Sequence, residues 1–267
     1  MSTSDRAAPA ELDTGIPHSA RLWNYWLGGE DNFAVDRAVA DQILAMVPEM
    51  VGSARADRAF LGRAVRHLAG AEHIRQFLDV GTGLPTADNT HEVAQRVAPS
   101  SRIVYVDNDP MVLVHARALL TSHPEGRTDY LDADLRAPEA IVEGARRTLD
   151  FDQPIAVMML GILNFVPDDD EAADLVQRLV AAVPSGSFVT ISHPTTEVNG
   201  PVMTEALRLW NEGPAAKMVL RSAEQVARLF GDLEMVEPGV VSCSQWRPDP
   251  GGAAEQVPHY GGVGRKR

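Results

Sequence analysis

Apolar positions follow two different patterns along the chain, and the pattern changes near residue 70. Residues 16–70 place apolar side chains three or four positions apart, which is the spacing of one helix face. Residues 74–265 alternate short apolar runs with amphipathic segments, a pattern that predicts strands alternating with helices. We therefore predict three parts: a flexible tail at 1–15, an N-terminal helical cap at 16–70 and a Rossmann-like domain at 71–267.

Seven apolar runs in the third part are the predicted strands. They span residues 74–81, 102–107, 128–134, 155–163, 187–193, 233–241 and 258–264. Because most of these runs are continuously apolar and are joined by helical segments, we expect a mostly parallel sheet covered by helices on both faces. The last two runs have no helix between them, so they can pair antiparallel at the sheet edge. The predicted fold class is α/β, with a seven-stranded Rossmann-like sheet.

The charge of the chain argues against a nucleic-acid partner. The chain has 267 residues, of which 37 are acidic and 24 are basic, so its formal net charge is −13. Such a surface repels a phosphate backbone on average. The longest apolar stretch, residues 155–166, is too short to span a bilayer, so no membrane partner is predicted.

Cysteine and histidine usage argues against disulfides and metal ions. Cys243 is the single cysteine, so neither an intrachain disulfide nor a cysteine-pair zinc site can form. The histidines are not clustered at the spacing of metal ligands. The sequence therefore predicts no bound metal, and the unpaired cysteine fits a protein of the reducing cytoplasm.

A glycine turn follows the first predicted strand, in the segment FLDVGTGLPTADNT. In an open parallel sheet, ligands bind beyond the carboxyl ends of the strands. Gly81, Thr82 and Gly83 bring flexible backbone to that position, but Thr86 stands where a dinucleotide-binding loop has its third glycine. Asp79 precedes the turn and is badly placed for a pyrophosphate, whereas it suits a cationic ligand. The alternative is that Asp79 only braces the turn.

Carboxylates also stand at the ends of the next two predicted strands. In YVDNDP, Asp107 and the adjacent Asn108 end strand two, where an acidic side chain accepts hydrogen bonds from the ribose hydroxyls in nucleotide folds. In LDADLR, Asp134 and Leu135 follow strand three, where an acidic side chain can accept from the adenine amino group. Each carboxylate can instead be a turn or helix-cap residue. Together with Asp79, they favour S-adenosylmethionine, which has a sulfonium and an ammonium group and no phosphate.

These segments resemble a known bacterial family. FLDVGTGLPTADN, YVDNDP and LDADLR, together with the N-terminal HSARLWNYWLGGEDNFAVDR, are similar to an S-adenosylmethionine-dependent methyltransferase family whose substrate is unassigned. The resemblance continues through DRAFLGRAVRHLA to GVGRK near the C-terminus, so it spans nearly the whole chain. It implies a class I methyltransferase fold with an N-terminal helical cap, and S-adenosyl-L-methionine as the cofactor.

Five further residues complete the predicted site. Gly161, after the fourth strand, leaves space for the cofactor or is a plain strand exit. Tyr25, Asn32 and Arg58 belong to the predicted cap and can face the cofactor, where Arg58 can pair with its carboxylate; core and capping roles are open alternatives. His193, at the end of the fifth strand, is the candidate catalytic base because its ordinary pKa suits proton removal near neutral pH. The alternative is a structural histidine in a loop.

The sequence predicts an enzyme that transfers a methyl group from S-adenosylmethionine to a small molecule. Methyl transfer needs alignment of the acceptor and exclusion of water more than a dedicated base, so the cofactor site is the clearer signal. The fourth strand lacks the (N/D)-P-P-(Y/F) motif of enzymes that methylate amino groups of DNA bases. Two alternatives remain: a non-catalytic regulator that binds S-adenosylmethionine, and a dinucleotide-dependent oxidoreductase, against which Thr86 argues.

Overall fold

A computed structural model describes residues 14–85, 87–112, 114, 121–249 and 255–267 of the chain. Nearly all of the predicted tail at 1–15 lies outside the described residues, and so does Thr86. Among the described residues, no helix combines the length and the apolar character that crossing a bilayer requires.

The segment 16–70 is helical, as predicted. Helix α1 spans Ser19–Trp26, α2 spans Ala34–Met46 and α3 spans Met50–Gly70. Among the described residues, the helices that follow with assigned bounds are α4 at Thr90–Val97, α5 at Pro138–Ala145, α6 at Asp169–Ala182, α7 at Gly200–Glu212 and α8 at Ala223–Leu229. Short 3-10 turns lie at Leu163–Phe165 and Cys243–Gln245.

The strands form one mixed sheet. They are β1 at Gln76–Val80, β2 at Arg102–Asp107, β3 at Arg127–Asp132, β4 at Ala156–Leu160, β5 at Phe188–Pro194, β6 at Glu234–Met235, β7 at Val241–Ser242 and β8 at His259–Arg265. Their order in the sheet is β3-β2-β1-β4-β5-β8-β6, and β7 also pairs with β8. β1 to β5 are parallel, whereas β8 is antiparallel to its neighbours β5, β6 and β7. The prediction of a mostly parallel α/β sheet is confirmed.

One predicted strand differs from the structure. The run at 233–241 is not one strand but two short ones, β6 and β7, joined by a turn. Pro238 has no N–H to donate to a strand ladder, and Gly239 turns the chain with a φ of 83°. The sheet therefore has eight strands where the apolar pattern predicts seven.

Helices cover both faces of the sheet, which explains the continuously apolar strands. On β1, Leu78 packs into a core shared with α5, α6 and α8. Its neighbour Phe77 points to the opposite face, into a core with Ile103 and with Phe60 and Val65 of α3. Since successive side chains of a strand point to opposite faces, both positions must be apolar when both faces are covered.

The three N-terminal helices do not have the same role. α3 lies on the sheet, whereas α1 and α2 pack with α7 through a separate apolar cluster that includes Leu22, Trp26, Ile43 and Trp210. The division of the chain into a cap and a Rossmann-like domain at residue 70 stays a prediction. What the packing establishes is that α1 and α7 come together beside the carboxyl ends of the central strands, since both line one pocket with residues that follow β4.

Candidate active site

A cavity lies where β1, β2, β3 and β4 end, and we call it the strand-end cavity. Its volume is about 290 Å³, and α1 and α3 contribute the opposite wall. The described lining includes ten of the predicted site residues: Arg58, Asp79, Gly81, Thr82, Gly83, Asp107, Asn108, Asp134, Leu135 and Gly161. The three carboxylates that the strand pattern singled out therefore face one common space.

The glycine turn is tied to the neighbouring strand. The N–H groups of Gly81 and Thr82 both donate to the carbonyl oxygen of Val106, at 2.8 and 3.2 Å. Gly81 has a φ of 74°, and a Cβ at this position would lie 2.5 Å from Cγ1 of Ile162. Only glycine fits this conformation and this space without strain, so the turn keeps its backbone close to the cavity.

Asp107 shapes the turn as well as the cavity. Its Oδ2 accepts from the N–H of Gly83 at 2.9 Å, and its Oδ1 accepts from the N–H of Asp109 at 2.9 Å. Burial raises the pKa of Asp107, and the two backbone hydrogen bonds act in the opposite direction. Each carboxylate oxygen keeps a further lone pair, so Asp107 can also accept from ligand hydroxyl groups.

Asp79 is a buried acid whose side chain is hydrogen-bonded to a hydroxyl group. Its Oδ2 accepts from the Thr90 hydroxyl at 2.6 Å. Burial raises the pKa of Asp79 to about 6, although Thr90 and the charge of Arg58 act to lower it. An acid in this position is most stable when a positive charge enters the cavity beside it. This charge preference fits a ligand with an ammonium or sulfonium group.

The part of the cavity that follows β3 combines polar and apolar side chains. Asn108 donates to Oδ2 of Asp134 at 3.3 Å, while Oδ1 of Asp134 accepts from the N–H of Arg136 at 2.8 Å. Leu135 is buried beside them. The pairing of a carboxylate edge with an apolar side chain suits a flat base that carries an amino group.

Gly161 and Arg58 occupy opposite walls. Gly161 has a φ of 60°, and a Cβ there would meet no atom within 4 Å, so the missing side chain leaves open space in the cavity. The Arg58 guanidinium donates to the Ala87 carbonyl at 3.0 Å and to Oδ1 of Asn89 at 2.8 Å. Arg58 therefore braces the loop behind the glycine turn, and its pairing with a ligand carboxylate stays a prediction.

Two predicted cap residues are not in the described lining of the cavity. Tyr25 donates to Oδ1 of Asp41 at 2.9 Å and so links α1 to α2 at an exposed position. The Asn32 amide donates to Oδ1 of Asn24 at 3.0 Å and to the Gly29 carbonyl at 2.9 Å. Asn24 does line the cavity, so Asn32 contacts a residue of the cavity wall, and its role in cofactor binding stays a prediction.

His193 is also outside the described lining, and its surroundings do not suit a catalytic base. The side chain is fully buried, with Nδ1 2.8 Å from the Pro194 carbonyl oxygen and Nε2 2.9 Å from Nη1 of Arg221. Nδ1 donates to the carbonyl, so Nε2 must accept from the guanidinium. Burial, together with the charge of Arg221, lowers the pKa of His193 to about 3. Both nitrogens are occupied, so the structure assigns His193 a structural role.

A second, smaller hollow adjoins the strand-end cavity, and we call it the aromatic pocket. Its volume is about 70 Å³, and its walls include Trp26 of α1 and Trp210 of α7. Four residues line both spaces: Ser19, Trp23, Gly161 and Phe165. The sequence analysis did not find this pocket, because its walls come from segments that are far apart in the chain.

Asp57 and His259 stand between the two spaces. Asp57 lines the strand-end cavity and His259 lines the aromatic pocket, and Oδ1 of Asp57 lies 3.6 Å from Nε2 of His259. Ser192 Oγ is 3.3 Å from the same nitrogen. Burial lowers the pKa of His259, while Asp57 acts to raise it. A neutral imidazole beside a carboxylate is a competent proton acceptor.

Cys243 joins this pair. Its Sγ lies 3.8 Å from Oδ1 of Asp57, and single ligand atoms of Asp57, Cys243 and His259 all lie within 4.8 Å of one another. Carboxylate, thiolate and imidazole are ligands of zinc in many proteins. The residues come from α3, the second 3-10 turn and β8, so no sequence spacing revealed the group. The expectation that the chain binds no metal stays a prediction.

The family of the chain follows from comparison with known proteins. A family model described as S-adenosyl methyltransferase matches residues 5–267. A DUF574 family protein from Streptomyces avermitilis is 41% identical, with a TM-score of 0.92, over 96% of this chain and 99% of that one. A protein from Thermobifida fusca is 40% identical, with a TM-score of 0.88, over 98% of this chain and 99% of that one.

A more distant structure shares the fold alone. Human N-acetylserotonin methyltransferase, solved in complex with S-adenosylmethionine, is 14% identical, with a TM-score of 0.51, over 87% of this chain and 58% of that one. No curated protein matches the chain. None of the matches supports a non-catalytic regulator or a dinucleotide-dependent oxidoreductase. The chain therefore belongs to the S-adenosyl methyltransferase family, and it is an enzyme that uses S-adenosylmethionine as its cofactor.

Proposed function

We propose that this methyltransferase binds S-adenosylmethionine in the strand-end cavity and methylates a small molecule held in the aromatic pocket. One observation carries the proposal: the two spaces adjoin and share Ser19, Trp23, Gly161 and Phe165. Transfer requires the acceptor atom to lie in line with the sulfonium methyl group, close enough for attack and away from water. Two adjoining spaces of different character meet this requirement.

The cofactor fits the charges and shape of the larger space. In the proposed arrangement, Asp79 faces the ammonium group, Asp107 accepts from the ribose hydroxyls, and Asp134 accepts from the adenine amino group beside Leu135. This assignment is supported by the common cavity and by the burial of Asp79, which raises the pKa of this acid to about 6 although the charge of Arg58 acts to lower it. When bound, the cofactor supplies a methyl carbon that the sulfonium has already activated.

His259 replaces His193 as the proposed proton acceptor. An acceptor hydroxyl or amine gains a methyl group and loses one proton, which His259 takes up while Asp57 stabilises the resulting imidazolium. The support is positional, because His259 lines the aromatic pocket and its Nε2 lies 3.6 Å from Oδ1 of Asp57. His193 has neither access to the pocket nor a free nitrogen.

The acceptor is proposed to be a small molecule for reasons of charge and size. The net charge of −13 disfavours nucleic acids. The aromatic pocket, at about 70 Å³, has room for a compact group and not for a folded polymer. We also retain the cytoplasm as the proposed location, since the one cysteine is buried and unpaired.

Calorimetric titration tests the cofactor half of the proposal. We expect S-adenosylmethionine and S-adenosylhomocysteine to bind and NAD not to bind. Asp107→Ala should weaken binding by more than about 1 kcal/mol, because a charge-assisted hydrogen bond is lost. Asp132→Ala is the matched control, since Asp132 is an exposed carboxylate at the end of the next strand and outside the described lining. Equal losses in both variants would contradict the assigned role of Asp107.

Transfer of a radiolabelled methyl group tests the proposal that the acceptor is a small molecule. A cell extract is separated into a small-molecule and a macromolecular fraction, and each is incubated with the enzyme and methyl-labelled S-adenosylmethionine. We expect label only in small molecules. Label confined to nucleic acid or protein would refute the proposed acceptor class, and tight cofactor binding with no transfer to either fraction would favour a regulatory protein.

A further inference from the structure

The aromatic pocket is mostly apolar, and four aromatic side chains stand among the aliphatic side chains of its described lining. Trp23 and Trp26 come from α1, Phe165 comes from the turn after β4, and Trp210 comes from α7. Trp23 and Trp26 meet edge to face, with 5.6 Å between ring centroids. A pocket that contains several aromatic side chains suits an aromatic ligand, since ring pairs pack favourably in offset-stacked or edge-to-face arrangements.

Two residues of this pocket each carry a buried polar atom without a hydrogen-bond partner in the described residues. Asn164 is 4% exposed and Trp26 is 7% exposed, yet Oδ1 of Asn164 and Nε1 of Trp26 have no hydrogen-bond partner in the described part of the chain. Both residues line the pocket. Buried polar groups in folded proteins are nearly always paired, so an unpaired acceptor and an unpaired donor in one pocket indicate groups reserved for a ligand.

Trp210, another tryptophan of the pocket, shows the contrast. Nε1 of Trp210 donates to the Ala216 carbonyl oxygen at 2.7 Å, so this tryptophan contributes only its ring. Asn164 is held by its backbone, whose carbonyl oxygen accepts from the N–H of Val219 at 2.9 Å. Its side chain is therefore free to serve the pocket while its position is fixed.

We infer that the methyl acceptor is a planar aromatic molecule with a hydroxyl or ring N–H group, which donates to Oδ1 of Asn164 and accepts, when it is a hydroxyl, from Nε1 of Trp26. The inference rests on the proposed function, since it takes the aromatic pocket as the acceptor site. It adds the chemical class of the acceptor and the two atoms that recognise it. The apolar rings of the pocket enclose the rest of the molecule.

A pair of probes of equal shape tests the inference. We would titrate 4-methylphenol and p-xylene, which differ only in a hydroxyl and a methyl group, into ¹⁵N-labelled protein saturated with S-adenosylhomocysteine. The indole N–H resonances report binding, and the Trp26→Phe spectrum identifies the signal of Trp26. We expect 4-methylphenol to bind about tenfold more tightly than p-xylene and to shift the Trp26 signal.

Three variants test which side chains cause the preference for 4-methylphenol over p-xylene. Asn164→Leu, which keeps the size of the side chain, should abolish the preference for the hydroxyl, and Trp26→Phe should reduce it. Trp210→Phe is the matched control, because it removes an indole from the same wall whose N–H is already paired, and it should leave the preference unchanged. Each variant is first shown to bind S-adenosylhomocysteine as the wild type does.

The outcomes separate this inference from the proposed function. If 4-methylphenol fails to bind, if both probes bind equally, or if the preference survives in Asn164→Leu, the inference is wrong while cofactor binding still stands. If the wild-type protein fails to bind S-adenosylhomocysteine, the proposed cofactor site itself is wrong.

Discussion

The two ligand spaces of this protein are built from different parts of the fold. The strand-end cavity is formed at the ends of neighbouring parallel strands, and its described lining includes the three strand-end carboxylates Asp79, Asp107 and Asp134. The aromatic pocket is formed mainly by helices α1 and α7 and the turn after β4, and its walls are mostly apolar. Under the proposed function, the ends of the strands hold the cofactor, whose chemistry is constant, while the acceptor is selected by the elements that pack beside the sheet.

The largest expected effect is a loss of stability when the glycine turn of the strand-end cavity is changed. Gly81→Ala should destabilise the fold by about 3 kcal/mol, because an L side chain is strained at positive φ and its Cβ overlaps Ile162. Gly161→Ala is the control: its φ is also positive, but its Cβ meets open space, so the loss should be only about 1 kcal/mol. Chemical denaturation measures both, and equal losses would show that the contact with Ile162 is unimportant.

His193 and His259, two buried histidines, allow a test of which side chain accepts the proton. His259→Gln should lower kcat about a hundredfold, the usual contribution of a general base, with little change in affinity for S-adenosylmethionine. His193→Gln should instead lower the melting temperature, because Arg221 loses its buried partner, while kcat of the folded fraction is kept. Kinetics with the identified acceptor and thermal unfolding together distinguish them, and the reverse pattern would restore His193 as the base.

Asp79 predicts opposite pH trends for stability and for cofactor binding. Its pKa in the folded protein, about 6, is above the ordinary value of 3.8, so the fold holds this proton more tightly than the unfolded chain. Stability without cofactor should therefore fall as the pH rises from about 4 through 6. Affinity for the cationic cofactor should rise over the same window, up to tenfold per pH unit below 6, because the carboxylate is the binding form.

Calorimetry and thermal unfolding between pH 5 and pH 8 check these trends. The asparagine side chain in the Asp79→Asn variant cannot ionise. This position should therefore add no pH dependence to the stability or to the affinity for the cofactor. If the cofactor affinity of the wild type follows that of Asp79→Asn, the assigned contact between this carboxylate and the cofactor is wrong.

The smallest expected effect concerns the group of Asp57, Cys243 and His259. If the pair Asp57–His259 accepts a proton, a chelator should leave turnover unchanged, and metal analysis of the purified enzyme should find no stoichiometric zinc. Loss of turnover with a chelator, restored by added zinc, would instead make the three side chains a metal site between the two spaces.

The predicted site residues also divide between those that line the strand-end cavity and those that do not. Asp79, Gly81, Asp107 and Asp134 lie in or just after strands that the apolar pattern located, and parallel strands bring their carboxyl ends to one edge. His193 shows the limit of this reasoning. It stands at a strand end too, but its side chain points into a buried contact with Arg221, a residue 28 positions later.

Local sequence determined the elements, the order of the strand-end carboxylates and the charge of the cofactor site, because strand periodicity and turn glycines act over a few residues. Tertiary structure decided which of two buried histidines reaches a pocket: His193 and His259 lie on the adjacent strands β5 and β8, yet of the two it is His259 that lines the aromatic pocket. It also decided that Oδ1 of Asn164 and Nε1 of Trp26, in residues that line the same pocket, have no hydrogen-bond partner in the described part of the chain. Such contacts join residues far apart in the chain, and they form only when helices pack on the finished sheet.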